Sequence, residues 1–78
     1  MSKRLENYLR VHRLTKKYQK QIAILEKNAR HPSLNLEILE PKNRGIYSFR
    51  LDKKYRGLFI HRDDLKAIEI IAITCHYH

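Results

Sequence analysis

The 78-residue sequence predicts a two-layer α+β domain, in which an antiparallel helical hairpin packs on one face of a small antiparallel β-sheet. Two observations support this prediction. Up to Arg30 the apolar residues recur at helical spacing, whereas after Pro32 they fall in short runs that read as strands. The links between these runs are short enough for antiparallel neighbours. We therefore expect one domain over residues 1–78.

Two helices are predicted before Pro32. The first covers residues 3–13, with Ser2 as its N-cap. The second follows Thr15, which we also expect to act as an N-cap, and it extends to Arg30 in its last turn. It ends before Pro32, because the residue preceding a proline disfavours helical angles.

Four strands are predicted after Pro32. They correspond to the runs Leu36–Leu39, Gly45–Leu51, Tyr55–Arg62 and Ala67–Thr74. In the second run, Tyr47, Phe49 and Leu51 alternate with Ile46, Ser48 and Arg50, which is a strand pattern. The fourth run is the most apolar and is dense in isoleucine, so we expect it at the centre of the sheet. Since the helices cover only one face, the other face is predicted to be open.

The charge of the chain is strongly positive. Seventeen Lys and Arg residues stand against eight Asp and Glu, for a formal charge of +9, and the excess lies mostly in residues 1–31. A small domain with this charge is expected to bind a polyanion, most often a nucleic acid. A basic surface that only keeps the protein soluble is the plainer alternative.

Several classes of protein do not fit the sequence. No apolar run approaches the ~20 residues of a membrane span, and the N-terminus lacks the apolar core of a signal peptide. Cys75 is the single cysteine, so an internal disulfide is excluded. No metal site is expected either, because His76, His78 and one cysteine lack a fourth ligand. We expect a cytoplasmic protein.

The residues on the predicted open face suit phosphodiester chemistry. Arg50 and Arg56 fall on neighbouring strands, and guanidinium groups bind phosphate oxygens with two hydrogen bonds. Glu37 lies on the first strand and His76 follows the last. A base that takes the proton of an RNA 2′-hydroxyl, arginines that stabilise the phosphorane and an acid that protonates the leaving 5′-oxygen would together cleave RNA. The alternative is that these side chains only solvate the sheet or form surface ion pairs.

Neighbouring residues are candidates for substrate binding. Tyr55 precedes Arg56 and has the ring needed to stack on a base, although it could equally belong to the core. Lys53 and Lys54 lie in the polar turn between the second and third strands, and His78 ends the sequence.

The order of these segments resembles the RelE/ParE superfamily of toxin–antitoxin toxins, and most closely its RelE and YoeB-like ribonuclease branch. The resemblance covers nearly the whole chain. It rests on the strand GIYSFRL, followed by YRGLFI, an acidic turn and an isoleucine-rich strand that ends in His-Tyr. Members of this branch cleave mRNA in the ribosomal A site and are silenced by an antitoxin protein that wraps the toxin.

The resemblance implies a role for each candidate residue. Glu37 matches the catalytic carboxylate, Arg56 matches the arginine that stabilises the phosphorane, and Arg50 matches a basic position that contacts the substrate phosphate. His76 and Tyr77 match the terminal His-Tyr pair, with His76 as general acid and Tyr77 orienting or stacking the nucleotide. Lysines and arginines of the helices would bind ribosomal RNA.

Two departures from the family pattern affect these expectations. Family members usually begin with a strand before the first helix, whereas this sequence begins almost at the helix, which would expose a sheet edge. One residue also follows the His-Tyr pair, so an ungapped alignment would make His78 the acid in place of His76.

The expected function is therefore that of a toxin of a type II toxin–antitoxin system, an mRNA endoribonuclease that needs neither metal nor cofactor. Its products would carry 2′,3′-cyclic phosphate and 5′-hydroxyl ends, because the 2′-hydroxyl is an internal nucleophile. The alternatives are a ParE-like toxin that poisons DNA gyrase, a basic nucleic-acid-binding module without catalysis, and an inactive toxin.

Overall fold

The computed structural model describes residues 2–75, and in that range it has two α-helices followed by four strands. The elements are α1 (Lys3–Val11), α2 (Thr15–Lys27), β1 (Glu37–Ile38), β2 (Tyr47–Arg50), β3 (Tyr55–Arg62) and β4 (Ala67–Cys75). The strands form one antiparallel sheet in the order β1-β2-β3-β4. The α+β class and the open sheet face are confirmed.

The first helix begins as predicted and the second does not. The Ser2 hydroxyl accepts a hydrogen bond from the N–H of Leu5 at 3.2 Å, which caps α1. Thr15, in contrast, is the first residue of α2, and Leu14 occupies the N-cap position without a side-chain hydrogen bond. Leu14 is almost fully buried. Packing of Leu14 into the core therefore decides where this helix begins.

The second helix also ends earlier than expected. Its last residue is Lys27, and Asn28 takes extended backbone angles as the C-cap. The Asn28 side chain accepts a hydrogen bond from the N–H of Arg30 at 3.1 Å. Short polar side chains compete in this way with helical hydrogen bonds, so Arg30 lies beyond the helix instead of in its last turn.

The core lies between the helices and one face of the sheet. Phe49 on β2 is fully buried and lies opposite Gly57 on β3. Tyr47 and Phe59 are also cross-strand partners, and their rings stack at 5.4 Å. The buried apolar side chains are Leu9, Leu14, Leu25, Leu34, Phe49, Leu51 and Phe59.

The prediction that the isoleucine-rich strand is central is wrong. In the described structure β4 is at the edge of the sheet, paired with β3 alone. Ile68, Ile70 and Ile73 face the helices and pack against the core, which accounts for the apolar side of the strand. Ile71 is 39% exposed.

Replacing Gly57 with alanine is expected to destabilise the fold. A Cβ at this position would lie 2.5 Å from Cε1 of Phe49, whose ring is fully buried. Overpacking of this kind costs about 1–3 kcal/mol, which a lower urea midpoint would report. The control is Gly45→Asn, because Gly45 has a φ of +67°, which asparagine tolerates, and open space around it. Equal midpoints for the two variants would contradict this packing.

Candidate active site

The open face of the sheet carries charged side chains from three strands. Residues directly opposite each other in an antiparallel pair point to the same face. Glu37 on β1 is opposite Ser48 on β2, and Arg50 on β2 is opposite Arg56 on β3. Since Ser48 and Arg50 are two residues apart on one strand, all four share this face. Glu37, Arg50 and Arg56 thus lie on the strands on which the sequence places them.

Three hydrogen bonds orient the guanidinium of Arg56. Its Nε donates to the Ser48 hydroxyl at 2.9 Å, and Nη2 donates to the carbonyls of Asn35 at 2.6 Å and Ser48 at 3.3 Å. Asn35 has a left-handed φ of +43°, which asparagine adopts more readily than most residues. Among residues 2–75 no group accepts a hydrogen bond from Nη1. Arg56 is therefore oriented and keeps donors for a ligand.

Burial and two neighbouring charges shift the pKa of Arg56. Burial lowers the pKa of its guanidinium below the ordinary value, the Glu37 carboxylate raises that pKa, and the Arg50 cation lowers it. Glu37 and Arg50 therefore both lie within electrostatic range of Arg56. The arrangement places one carboxylate and two guanidinium groups around a single patch of open sheet.

The opposition of Arg50 and Arg56 is unfavourable without a ligand. Cβ atoms of directly opposed residues lie about 5 Å apart, and like charges at such positions are destabilising. Within the described part of the chain neither arginine forms an ion pair with a carboxylate. An anion that bridges the two guanidinium groups would replace this repulsion with charge-assisted hydrogen bonds.

The turn between β2 and β3 is fastened to α2. The Asp52 carboxylate accepts hydrogen bonds from the N–H groups of Lys54 and Tyr55 at 2.8 and 2.9 Å, and from Lys17 Nζ on α2 at 3.0 Å. Burial raises the pKa of Asp52, but the Lys17 and backbone hydrogen bonds together hold it below its usual value. The turn is thereby ordered, with Lys53 and Lys54 exposed at its tip.

A basic groove of about 640 Å³ lies beside this turn, and Arg50 is one of its lining residues. Lys53 and Lys54 line one side of it and α2 lines the other. Its charged residues are the cations Lys17, Lys20, Arg50, Lys53 and Lys54 and the carboxylate of Asp52. Arg50 belongs both to the groove and to the patch, so the two basic surfaces share one residue.

Tyr55 lies on the other side of the sheet. Its hydroxyl is 3.2 Å from Nδ1 of His12, and its ring packs edge-on against Tyr8 of α1, with the centroids 6.3 Å apart. It does not share a face with Arg56. This position gives no support to base stacking by Tyr55 and instead makes the residue part of the contact between α1 and the sheet.

The C-terminal candidates His76, Tyr77 and His78 lie outside the described residues. The last described residue, Cys75, is opposite Tyr55 and is exposed. The roles of His76, Tyr77 and His78 remain expectations from the sequence.

Sequence reasoning missed two residues that orient the site. Ser48 and Asn35 hold Arg56, although the sequence assigned no role to either residue. Gln21 on α2 was also missed; its side-chain amide donates to the carbonyls of Ser33 at 3.1 Å and Arg50 at 2.8 Å. The one available signal was Ser48 itself, a small polar residue in a strand whose neighbours Tyr47 and Phe49 face the core.

Comparisons with known proteins do not identify the chain. No protein-family model matches it, and no curated protein matches it significantly. The two helices of the described range are too short and too polar to cross a membrane. Within residues 2–75, no group of three or more His, Cys, Asp or Glu side chains is placed to hold a metal ion.

The Asp52→Asn variant is expected to lose stability in a pH-dependent way. Because folding lowers the pKa of Asp52 below its ordinary 3.8, its charged form stabilises the fold above that value, and this contribution disappears as the pH falls through the folded-state pKa. The gap in urea midpoint between wild type and variant should be widest at neutral pH and should close in acid.

The matched control for this variant is Asp63→Asn on the β3–β4 turn. Within the described range the Asp63 side chain accepts no hydrogen bond from another side chain, so its midpoint should follow that of wild type. A gap for Asp52→Asn that is constant with pH would show that the carboxylate charge is not the cause.

Proposed function

We propose that the chain is an endoribonuclease that cleaves RNA at the patch formed by Glu37, Arg50 and Arg56. The observation that carries the proposal is the direct opposition of Arg50 and Arg56 with no carboxylate paired to either among the described residues. Sequences that break a local rule of stability do so most often at functional sites. The donors of a guanidinium group match the geometry of phosphate oxygens, so two adjacent arginines suit a phosphodiester.

Glu37 supplies the second element of the reaction. In the proposed step its carboxylate removes the proton of a 2′-hydroxyl, O2′ bonds to phosphorus, and the bond from phosphorus to O5′ breaks. Arg50 and Arg56 stabilise the charge that develops on the phosphate oxygens. The leaving O5′ takes a proton from a general acid, a role that we assign to His76 on the resemblance alone, with Tyr77 beside it and His78 as the alternative acid.

The basic groove supports a long RNA substrate. Lys20, Lys53 and Lys54 line this groove together with Arg50, and their charges would attract the phosphates of an RNA strand. Phosphate contacts position a nucleic acid without reading its bases. We propose that this groove holds the RNA strand, and that the remaining basic residues of the helices contact ribosomal RNA.

The resemblance in the sequence extends the proposal to a biological setting. We propose a type II toxin of the RelE-like ribonuclease branch that acts in the cytoplasm on mRNA in the ribosomal A site and is silenced by an antitoxin. The reaction as proposed draws its nucleophile from the RNA itself. The fold and the arginine patch are compatible with this setting.

Cleavage is tested by primer extension on an mRNA in a purified translation reaction. New 5′ ends should appear with wild type and should fall by about 10²-fold or more with Glu37→Gln, because a general base contributes at least that factor. Arg56→Ala should reduce them by a similar factor of about 10². The cut RNA should carry 2′,3′-cyclic phosphate and 5′-hydroxyl ends.

Two matched variants distinguish the loss of a site residue from a change in the overall charge of the protein. Glu40→Gln removes an exposed carboxylate and Arg44→Ala removes an exposed arginine, and both should cleave like wild type. Circular dichroism must show that Arg56→Ala is folded; if it is not, Arg50→Ala, which alters an exposed side chain, takes its place. A folded wild type that yields no new ends would reject the ribonuclease and favour a binding module, and gyrase inhibition would then be measured.

Ser48 is expected to act as a positioning residue through Arg56. Ser48→Ala removes the acceptor of the Nε hydrogen bond, and a hydrogen bond to a charged group is worth about 1.5 kcal/mol or more, which corresponds to roughly tenfold in rate. The single-turnover cleavage rate should fall by that factor while the half-saturating RNA concentration is unchanged.

Ser48→Thr keeps the hydroxyl and should restore the rate. If Ser48→Ala instead weakens RNA binding without slowing the bound complex, Ser48 does not act through the orientation of Arg56.

A further inference from the structure

The open face of the sheet is not polar throughout. Where one face of an antiparallel sheet meets water, strand residues usually alternate between apolar side chains towards the core and polar side chains towards the solvent. The third strand departs from this rule, because Leu58 and Ile60 flank the buried Phe59 and therefore point to the open face. Over this stretch β3 carries apolar side chains on both faces.

Neighbouring strands extend Leu58 and Ile60 into a continuous apolar surface. Leu58 is opposite Ser48 on β2, and Ile46 precedes Ser48 by two residues, so all three share the open face. Leu39 lies opposite Ile46, whose carbonyl accepts a hydrogen bond from the Leu39 N–H at 2.8 Å. We call this surface the aliphatic platform, and its members are Leu39, Ile46, Leu58, Ile60 and Ala72.

The aliphatic platform is separate from the hydrophobic core. Its five side chains are half-buried, and none of them belongs to the core or packs against it. Both helices of the described range pack on the opposite face of the sheet. Contiguous apolar surface that the fold does not use is typical of a binding site for another molecule.

The charges around the platform differ between its two ends. At one end Leu58 follows Arg56 of the arginine patch by two residues, and Ile60 follows it by four, which are distances of about 7 and 13 Å along the strand. At the other end the guanidinium of Arg62 already pairs with two carboxylates. A bound anionic group is therefore expected at the arginine patch, with the platform extending away from it.

A nucleotide matches the polarity of this surface. It carries its negative charge on the phosphate, and the ribose separates that charge from a base with two flat, weakly polar faces. With the phosphate on Arg50 and Arg56, the base reaches over Leu58 and towards Ile60. The side chains of the platform offer no hydrogen-bonding group, and hydrophobic contact has no direction. The platform would therefore contact the face of a base and would not read its edge.

Glu37 indicates which nucleotide of an RNA strand would lie here. In the proposed reaction Glu37 takes the proton of the attacking 2′-hydroxyl, which belongs to the nucleoside on the 5′ side of the cleaved bond. Glu37 and Leu58 lie on either side of Ser48, and Leu39 follows Glu37 by two residues on the same face. A ribose held at Glu37 thus has the platform beside it for its own base.

We propose that the aliphatic platform binds the base of the nucleotide on the 5′ side of the scissile phosphate, through the face of the base and without selecting its edge. The inference rests on the proposed ribonuclease, because the role of Glu37 decides which nucleotide is bound. It adds to that proposal a set of substrate-binding residues that carry no charge and no hydrogen-bonding group.

The test titrates the full chain with adenosine 3′-phosphate, guanosine 3′-phosphate or inorganic phosphate and follows side-chain methyl groups by NMR. The ring current of a base that lies face-on should move the methyl resonances of Ile46, Leu58 and Ile60 upfield. Inorganic phosphate should not do so, and the methyl groups of Ile68 and Ile70, which face the helices, should not move. Each nucleotide should bind about tenfold or more tightly than phosphate, and the two should agree within about threefold.

Leu58→Thr and Leu65→Thr form a matched pair of variants. Leu58 is part of the platform, whereas Leu65 is 64% exposed in the turn between β3 and β4 and lies outside it. Leu58→Thr should weaken adenosine 3′-phosphate by about threefold or more and leave inorganic phosphate unchanged, and Leu65→Thr should change neither. Circular dichroism must show that Leu58→Thr is folded; if it is not, Ile60→Thr takes its place.

Three results would overturn the proposal. A nucleotide that binds no more tightly than inorganic phosphate would show that the base makes no contact, and phosphate binding by itself would still support the arginine patch. A large difference between adenosine and guanosine 3′-phosphate would show that the edge of the base is read. A dimer with contacts between Ile60 methyl groups of two copies would assign the face to self-association. None of these measurements needs RNA cleavage, so failure here is distinguishable from failure of the ribonuclease proposal in primer extension.

Discussion

The ring of Phe49 lies over Gly57 on the neighbouring strand, and much of the structure depends on that contact. It buries one of the two phenylalanines of the core at a point where a Cβ on β3 would leave no space. Because these two residues are cross-strand partners, the contact also fixes the register of β2 against β3. A slip of one residue on either strand would turn its arginine towards the core. Packing on one face thus determines the chemistry on the other.

Arg56 lies on β3, the strand whose register this contact fixes, and its side chain belongs to the open face. It is partly buried, its guanidinium is held by a strand hydroxyl and two carbonyls, and its Nη1 has no acceptor among residues 2–75. A rigid cation of this kind needs little reorganisation when an anion arrives. The β2–β3 turn, tied to α2 through Asp52, brings further cations to the same end of the sheet. Arg50 lines the basic groove and also belongs to the patch, so the two basic surfaces share one residue.

Periodicity predicted most of this fold. The α+β class, the limits of β3 and the common face of Arg50 and Arg56 follow from alternation and short links, which are local properties. The errors arise where tertiary packing overrides local preference. Burial of Leu14 displaces the predicted cap of α2, and the position of β4 depends on strand order, which composition does not encode. The support of Arg56 by Asn35 depends on a left-handed residue and on β1 lying beside β2, so no motif could reveal it.

Gln21 restricts which sequences can adopt this structure. Its single amide nitrogen serves two carbonyls, one in the loop after α2 and one on the strand of the arginine patch. A glutamate would present acceptors to acceptors, and an asparagine is one methylene shorter. Conservation of glutamine at this position among divergent homologues would therefore reflect a requirement of folding. A search for catalytic residues by conservation alone would wrongly assign it a catalytic role.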